Sequence, residues 1–255
     1  MWSEIYKYYF DHLIIDSRLN SPHNYNYLEF YNLLWVDFFK QPSDHLKLNH
    51  NYKTESIIGS LRKSFFTVEW YKVFDFIEFF ANNFIYRASP NNNIDFMNFC
   101  NKILERENSG YRFINGIICP ITTKIEIEEI EKAINESIDP VGEHLNRSLE
   151  LLSDRINPDY RNSIKESISA VESMCLILVN KPNAKLSDAL KELETKISIH
   201  SALKSAFNIL YGYTSYENGI RHSLLEISDL RFEDAKFMLV ACSAFTNYLK
   251  SKSNK

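Results

Sequence analysis

Apolar residues in this chain recur with the period of an α-helix, and the longest such repeat lies within residues 159–179. Its members are spaced four, four, three and four positions apart: Tyr160, Ile164, Ile168, Val171 and Cys175. Such spacing places all of them on one helical face. Glycine and proline number only 6 and 7 among 255 residues, fewer than the turns of a sheet-rich protein usually need. The sequence therefore predicts a mainly all-α fold.

The same periodicity predicts the other helices of the chain. The predicted spans are 2–14, 27–39, 54–66, 67–85, 94–107, 142–154, 186–197, 200–211 and 232–250. The helix over 67–85 has a single narrow polar stripe, so we expect it to be mostly buried, with Phe74, Ile77, Phe80 and Phe84 in the core.

One segment breaks the helical pattern. Asn115-Gly116 lies between two short β-favouring runs, which predicts a small β-hairpin near residues 110–121. Pro140 then marks the predicted boundary between a helical N-terminal domain at 1–139, which contains the hairpin, and a C-terminal helical bundle at 140–255.

Charge and cysteine usage limit the classes of function. The net charge is −4, which argues against a general nucleic-acid coat, because phosphate binding requires a basic surface. Residues 1–140 hold 14 basic and 19 acidic side chains (net −5), whereas 141–255 hold 15 and 14 (net +1), so a local basic site fits the C-terminal half.

The four cysteines lack metal-ligand spacing and indicate reduced core thiols. No uncharged apolar run approaches 18 residues, so we expect a cytoplasmic protein without membrane association. We also expect that the protein needs no metal and no cofactor.

Several segments resemble a known family. WYKVFDFIEFF, ERENSGYRFINGIICPIT and IEIEEIEKAI resemble the N-terminal domain of AbiJ-type abortive-infection proteins. LLSDRINPDYRNSIKESISAVES, SALKSAFNILYGYTSYENGIRHSLLE and FEDAKFMLVACSAFTNYL resemble the accompanying C-terminal module, which is similar to a divergent HEPN (higher eukaryote and prokaryote nucleotide-binding) helical bundle. Together the matching stretches extend over about residues 60 to 250.

The resemblance implies a function in phage defence. HEPN modules are helical bundles that form homodimers, and many are metal-independent ribonucleases that use an Arg and a later His near the start of a late helix. It implies RNA as the substrate, with transfer RNA one candidate, and an antitoxin or sensor protein as a candidate partner. Other HEPN modules have lost catalysis and only bind.

The matching residues here are Arg221 and His222, in the segment GIRH. They are adjacent, whereas the HEPN pattern separates them by four to six residues. Histidine supplies a proton acceptor and donor near neutrality, and arginine offers a permanent planar cation to phosphate oxygens. Thr214 with Glu217, or alternatively Asn218, fits the N-cap of a helix that would present both residues to an anion.

Other polar residues are predicted to support this site or contact RNA; for Arg161 and Glu172 the alternative is hydrogen bonds within the bundle that fix helix packing. The full supporting set is Arg161, Glu166, Glu172, Glu217 and Asn218. Adjacent helical residues point about 100° apart, so we expect a dimer to pair the Arg of one subunit with the His of the other. The alternative is that Arg221 and His222 form ordinary surface pairs with Glu217 and Glu226. Two functions follow: a defence ribonuclease cutting RNA through 2′-hydroxyl attack, or a non-catalytic module that binds a nucleotide, an RNA or a protein.

Overall fold

The computed structural model describes residues 3, 4, 7, 33–40, 54–83, 92–215 and 230–253. Two compact units divide the chain between Glu107 and Asn108. The described residues are mainly helical and contain one two-stranded antiparallel hairpin. This confirms the predicted mainly all-α class, whereas the predicted boundary at 139/140 stays a prediction.

Three α-helices and a short π-helical turn are described in the first unit. The turn spans Leu34–Phe38, and the helices are α1 (Thr54–Thr67), α2 (Trp70–Asn83) and α3 (Asn92–Arg106). The predicted helices at 54–66, 67–85 and 94–107 are thus present to within a few residues at each end. Most residues of the predicted helix at 2–14, and residues 27–32 of that at 27–39, lie outside the described residues.

The core of the first unit gathers around α2. Ile77 and Phe80 are buried, and the Phe80 ring lies 4.9 Å from that of Phe96 on α3. Phe74 is only half-buried and packs edge-on against Trp70, so its predicted place in the deep core is wrong. Its position on α2 turns it toward the side of Trp70, which is itself exposed. Phe84 lies outside the described residues.

The predicted hairpin is confirmed at the start of the second unit. Strands β1 (Arg112–Ile114) and β2 (Ile117–Cys119) pair antiparallel, with Arg112 opposite Cys119. The two turn residues have positive φ angles, 46° at Asn115 and 84° at Gly116. A two-residue hairpin turn of this handedness favours Asn-Gly, because both residues adopt left-handed conformations at low cost.

Six helices of the second unit are described. They are α4 (Lys124–Glu136), α5 (Asp139–Ser153), α6 (Tyr160–Val179), α7 (Leu186–Lys196), α8 (Ser201–Ser215) and α9 (Phe232–Ser253). Asp159 caps the start of α6 by accepting from the backbone N–H of Asn162 at 3.0 Å. Asn180 ends that helix in the left-handed conformation, a common way to stop an α-helix.

One hydrophobic core joins the hairpin, α4 and the later helices. Fully buried members come from the hairpin and from α4, α5, α6, α7 and α9, and α8 adds partly buried residues: the fully buried ones include Ile114, Ile130, Leu149, Ile168, Leu190 and Leu239. The predicted stripe of α6 is buried from Ile164 to Cys175, and Tyr160 is partly buried at its end. All four cysteines are buried and free, as predicted.

Small side chains form the contact between α5 and α6. Ser148, Ser163 and Ser167 are all fully buried. The Ser148 hydroxyl lies 2.7 Å from the Ser167 hydroxyl, and the Ser163 hydroxyl donates to the Ser148 carbonyl at 2.9 Å. Because each buried hydroxyl has a partner, the two helices can approach closely without leaving these polar groups unsatisfied.

Candidate functional site

The segment predicted to carry the chemistry connects α8 to α9. Arg221, His222, Glu217 and Asn218 all lie within residues 216–229, outside the described residues. Thr214, by contrast, lies within α8, which extends to Ser215. The Thr214 alternative for the N-cap is therefore wrong, since a cap residue has non-helical backbone angles. Helix α8 continues to Ser215, four residues beyond its predicted end at Tyr211.

The described residues on either side of this segment lie close to one another. Tyr213, near the end of α8, has its pKa raised first by partial burial and then by the negative charge of Asp234 on α9. Asp234 also accepts from the backbone N–H of Arg231 at 2.9 Å, which fixes the start of α9 in the manner of a capping box. The end of α8 and the start of α9, which flank residues 216–229 in the chain, are therefore close to each other.

This junction lies at the N-terminal end of α6. The ring of Tyr160, the first residue of α6, lies 6.5 Å from that of Phe232 in an edge-on arrangement. Burial raises the pKa of Tyr160, and the nearby carboxylate of Glu233 adds to that rise. Arg161 follows Tyr160 directly and is partly buried. One predicted supporting residue, Arg161, therefore lies at the end of α6 that packs on the start of α9.

Glu166 makes a different contact. Its carboxylate lies 2.6 Å from Nδ1 of His144, on α5. Five helical positions separate Glu166 from Arg161, which turns the two side chains about 140° apart. Glu166 therefore faces α5, and the structure does not bring it together with Arg161.

The His144–Glu166 pair is a feature that sequence reasoning missed. A carboxylate on one ring nitrogen fixes the orientation of the imidazole. The surrounding charges are unfavourable to phosphate, however. Arg147 donates to Glu150 at 2.8 Å, and the carboxylates of Glu150, Glu166 and Asp159 all act on its guanidinium. The pair is best explained as a polar contact between α5 and α6.

Glu172 occupies a third location. It is partly buried on α6 and adds, after burial, to the raised pKa of Cys175. Eleven residues separate it from Arg161, a distance of about 16 Å along the helix axis. Spacing along one helix already gives these separations, whereas only the structure shows that Glu166 meets His144 of α5.

The described residues offer no group of three or more His, Cys, Asp or Glu side chains placed to hold a metal ion. Within the same part of the chain, no helix combines the length and apolar character needed to cross a membrane. The expected cytoplasmic location stays a prediction.

With this geometry in place, comparison with known families shows which family the chain matches. The family model described as AbiJ N-terminal domain 4 matches residues 1–136, which is more than half of the 255-residue chain. The chain belongs to this abortive-infection family. The AbiJ-type resemblance is therefore confirmed, whereas the HEPN-like character of the C-terminal module stays a prediction. Neither a curated protein nor a solved structure matches the chain.

The AbiJ domain ends inside the second compact unit. Its last helix, α4, packs on α9 through a series of polar contacts. Lys236 donates to Glu126 at 2.9 Å, and Asn247 donates to the Glu129 carboxylate at 2.8 Å. Lys250 likewise donates to the backbone carbonyl of Glu136. The end of the AbiJ domain is therefore built into the same bundle as α9, the described helix that follows the Arg221–His222 segment in the chain.

Proposed function

We propose that this AbiJ-family protein is a phage-defence ribonuclease that cuts RNA through attack of the 2′-hydroxyl, with Arg221 and His222 as its working residues. The observation that supports the proposal is where the described residues on either side of their segment lie. Phe232, after the segment, packs on Tyr160 at the start of α6, and Tyr213, before the segment, lies near Asp234 of α9. The family supports a role in abortive infection.

The chemistry assigns a role to each residue. His222 takes the proton from the 2′-hydroxyl, and a second histidine protonates the leaving 5′-oxygen. Arg221 offsets the charge that builds on the phosphoryl oxygens. A homodimer supplies both histidines and pairs the Arg of one subunit with the His of the other. Transfer RNA is one candidate substrate, and an antitoxin or sensor protein is a candidate regulator in the cytoplasm.

The adjacency of Arg221 and His222 favours a second function. HEPN-like ribonucleases separate these two residue types by four to six positions, whereas here none intervenes. A module that keeps the cation and lacks the catalytic geometry would bind a nucleotide, an RNA or a partner protein without cutting it.

The test is incubation of the purified full chain with total RNA, with and without EDTA. His222→Ala should lower single-turnover cleavage by about 10²–10⁴-fold, and Arg221→Lys should also fail, since an ammonium group lacks the bidentate fork. Cleavage should persist in EDTA. The matched control is His200→Asn, because His200 is exposed and accepts from the backbone N–H of Ala202, a contact that Asn can keep.

Three outcomes separate the two functions. Loss of cleavage in His222→Ala with full activity in His200→Asn supports the ribonuclease. Equal cleavage by wild type and His222→Ala refutes the assigned role of His222. Binding of RNA or nucleotide by a wild-type protein that cuts nothing supports the binding module.

A further inference from the structure

A cleft in the first compact unit lies between the π-helical turn, the end of α1 and the start of α2. Its volume is about 350 Å³, which falls within the range of about 300–1,000 Å³ that small-molecule sites occupy. Four partly buried rings line it and define what we term the phenylalanine cleft: Phe38, Phe39, Phe65 and Phe76. The cleft lies within residues 1–136, the part of the chain that matches the AbiJ domain.

The phenylalanine rings form the apolar walls of the cleft. The Phe38 ring lies 5.1 Å from that of Phe39 and 5.6 Å from that of Phe76, edge-on in both cases. These rings stay partly exposed, in contrast to Phe80 and Phe96, which are buried in the core of the same unit. Partly exposed rings in a concave site favour a flat aromatic occupant, because paired rings stabilise a complex beyond the apolar area that they bury.

Three polar side chains complete the cleft: Ser64 on α1, and Lys72 and Asp75 on α2. Lys72 is exposed, and its ammonium group forms no hydrogen bond or ion pair with any residue that the structure describes. It is therefore available as a donor to an anionic group of a ligand. Asp75 lies three positions from Lys72, on the neighbouring part of the helix surface. Its carboxylate opposes further negative charge, so a ligand with one acidic group fits the cleft better than a polyphosphate does.

We propose that the phenylalanine cleft is a binding site for a small aromatic anion, whose flat rings pack on the phenylalanines and whose single carboxylate or sulfonate pairs with Lys72. The inference does not rest on the proposed ribonuclease. It assigns a ligand to the AbiJ domain itself, whereas Arg221 and His222 belong to the second compact unit.

The first experiment uses two dyes of similar shape and different charge. Anilinonaphthalene sulfonate carries aromatic rings and one sulfonate, and N-phenylnaphthylamine carries the same rings without the sulfonate. Each dye is titrated into the purified full chain, and dye emission is followed on excitation of tryptophan. Trp2, Trp35 and Trp70 all belong to the first compact unit, so energy transfer reports dye that is bound near these residues.

Lys72→Gln should weaken binding of the sulfonate dye about fivefold, the effect of losing one solvent-exposed ion pair, and should leave the affinity for the neutral dye unchanged. The matched control is Lys63→Gln. Lys63 is exposed on α1 and does not line the cleft, so this variant should bind both dyes as wild type does. An unchanged affinity of Lys72→Gln for the sulfonate dye, or an equal loss for both dyes, would overturn the inference.

The second experiment fills the cleft. Ser64→Phe places a further ring inside it and should weaken binding of both dyes. Thr67→Phe adds the same ring at an exposed position of α1 outside the cleft and should weaken neither. Far-UV circular dichroism checks that both variants are as helical as wild type; if Ser64→Phe is not, the Lys72→Gln comparison decides alone.

Two results of the second experiment would contradict the inference. One is a folded Ser64→Phe protein that binds both dyes as tightly as wild type does. The other is displacement of the sulfonate dye by an equal concentration of a single-stranded RNA oligonucleotide, which would assign the cleft to RNA instead. Neither readout depends on RNA cleavage, so failure of the proposed ribonuclease is seen separately.

Discussion

Two glycines in helices provide a direct test of how α4 and α5 pack. Gly142 is buried in α5, and a methyl group on it would lie 2.8 Å from the backbone carbonyl oxygen of Ile134, on α4. Gly59 is exposed in α1, and a methyl group there would meet nothing within 4 Å. The same substitution, Gly→Ala, should therefore have opposite effects at the two positions.

The magnitudes decide the sign at each site. Replacing Gly by Ala inside a helix gains about 0.5–1 kcal/mol of stability, because Gly loses more backbone freedom on folding. At Gly59 nothing opposes this gain. At Gly142 the added methyl overlaps backbone, which cannot move aside as a flexible side chain would, and overpacking of this kind costs about 1–3 kcal/mol. We expect a net loss of about 1–2 kcal/mol for Gly142→Ala.

Urea unfolding followed by two probes measures both effects. All three tryptophans, Trp2, Trp35 and Trp70, belong to the first compact unit, so their fluorescence reports that unit, whereas far-UV circular dichroism reports the helices of both. Gly59→Ala should raise the midpoint seen by fluorescence. Gly142→Ala should lower the midpoint seen by circular dichroism. If Gly142→Ala stabilises the protein as much as Gly59→Ala does, the close approach of α4 and α5 is refuted.

Two further predictions concern the end of α6 and the buried thiols. Asn180→Ala should lower the free energy of unfolding in urea by about 1 kcal/mol, because Asn180 has a φ of 56° that alanine disfavours. Asn180→Gly should change it by no more than a few tenths of a kcal/mol. Equal losses for the two variants would contradict the left-handed end of α6. Burial raises the pKa of Cys100, Cys175 and Cys242 to about 12, and only the thiolate reacts, so a thiol reagent at pH 8 should label the native protein slowly and the unfolded protein fully. Rapid labelling of the native protein would contradict the burial of these thiols. Because the pKa of each thiol is higher in the folded than in the unfolded protein, the thiols add stability that is present below pH about 8.5 and lost toward pH 12. The urea midpoint should therefore fall across that pH range.

Local patterns predicted most of the described secondary structure. The period of the apolar residues gave α6 to within one residue, because its inward stripe is long and unbroken. The hairpin followed from Asn115-Gly116, since these two residue types adopt the required positive φ angles at low cost. Local patterns were less reliable for the ends of helices. α8 continues through Thr214 and Ser215, although those residues are typical of a helix start.

Burial around a helix was harder to predict than its presence. The stripe of α2 correctly placed Ile77 and Phe80 in the core and wrongly placed Phe74 there. Periodicity gives the direction of a side chain from the helix axis, but it does not say which neighbouring element covers that direction. Phe74 is covered in part by Trp70, one turn away on the same helix.

The sequence by itself determined the family, the helical class, the hairpin turn and the residue types available for phosphate chemistry, because each depends on residues close together in the chain. Only the tertiary structure decided which of those residues meet. Glu166 contacts His144 of α5, whereas Arg161 lies at the end of α6 that packs on the start of α9. Contacts of this kind depend on how helices distant in sequence are set against each other, and a period of 3.6 residues carries no information about that arrangement.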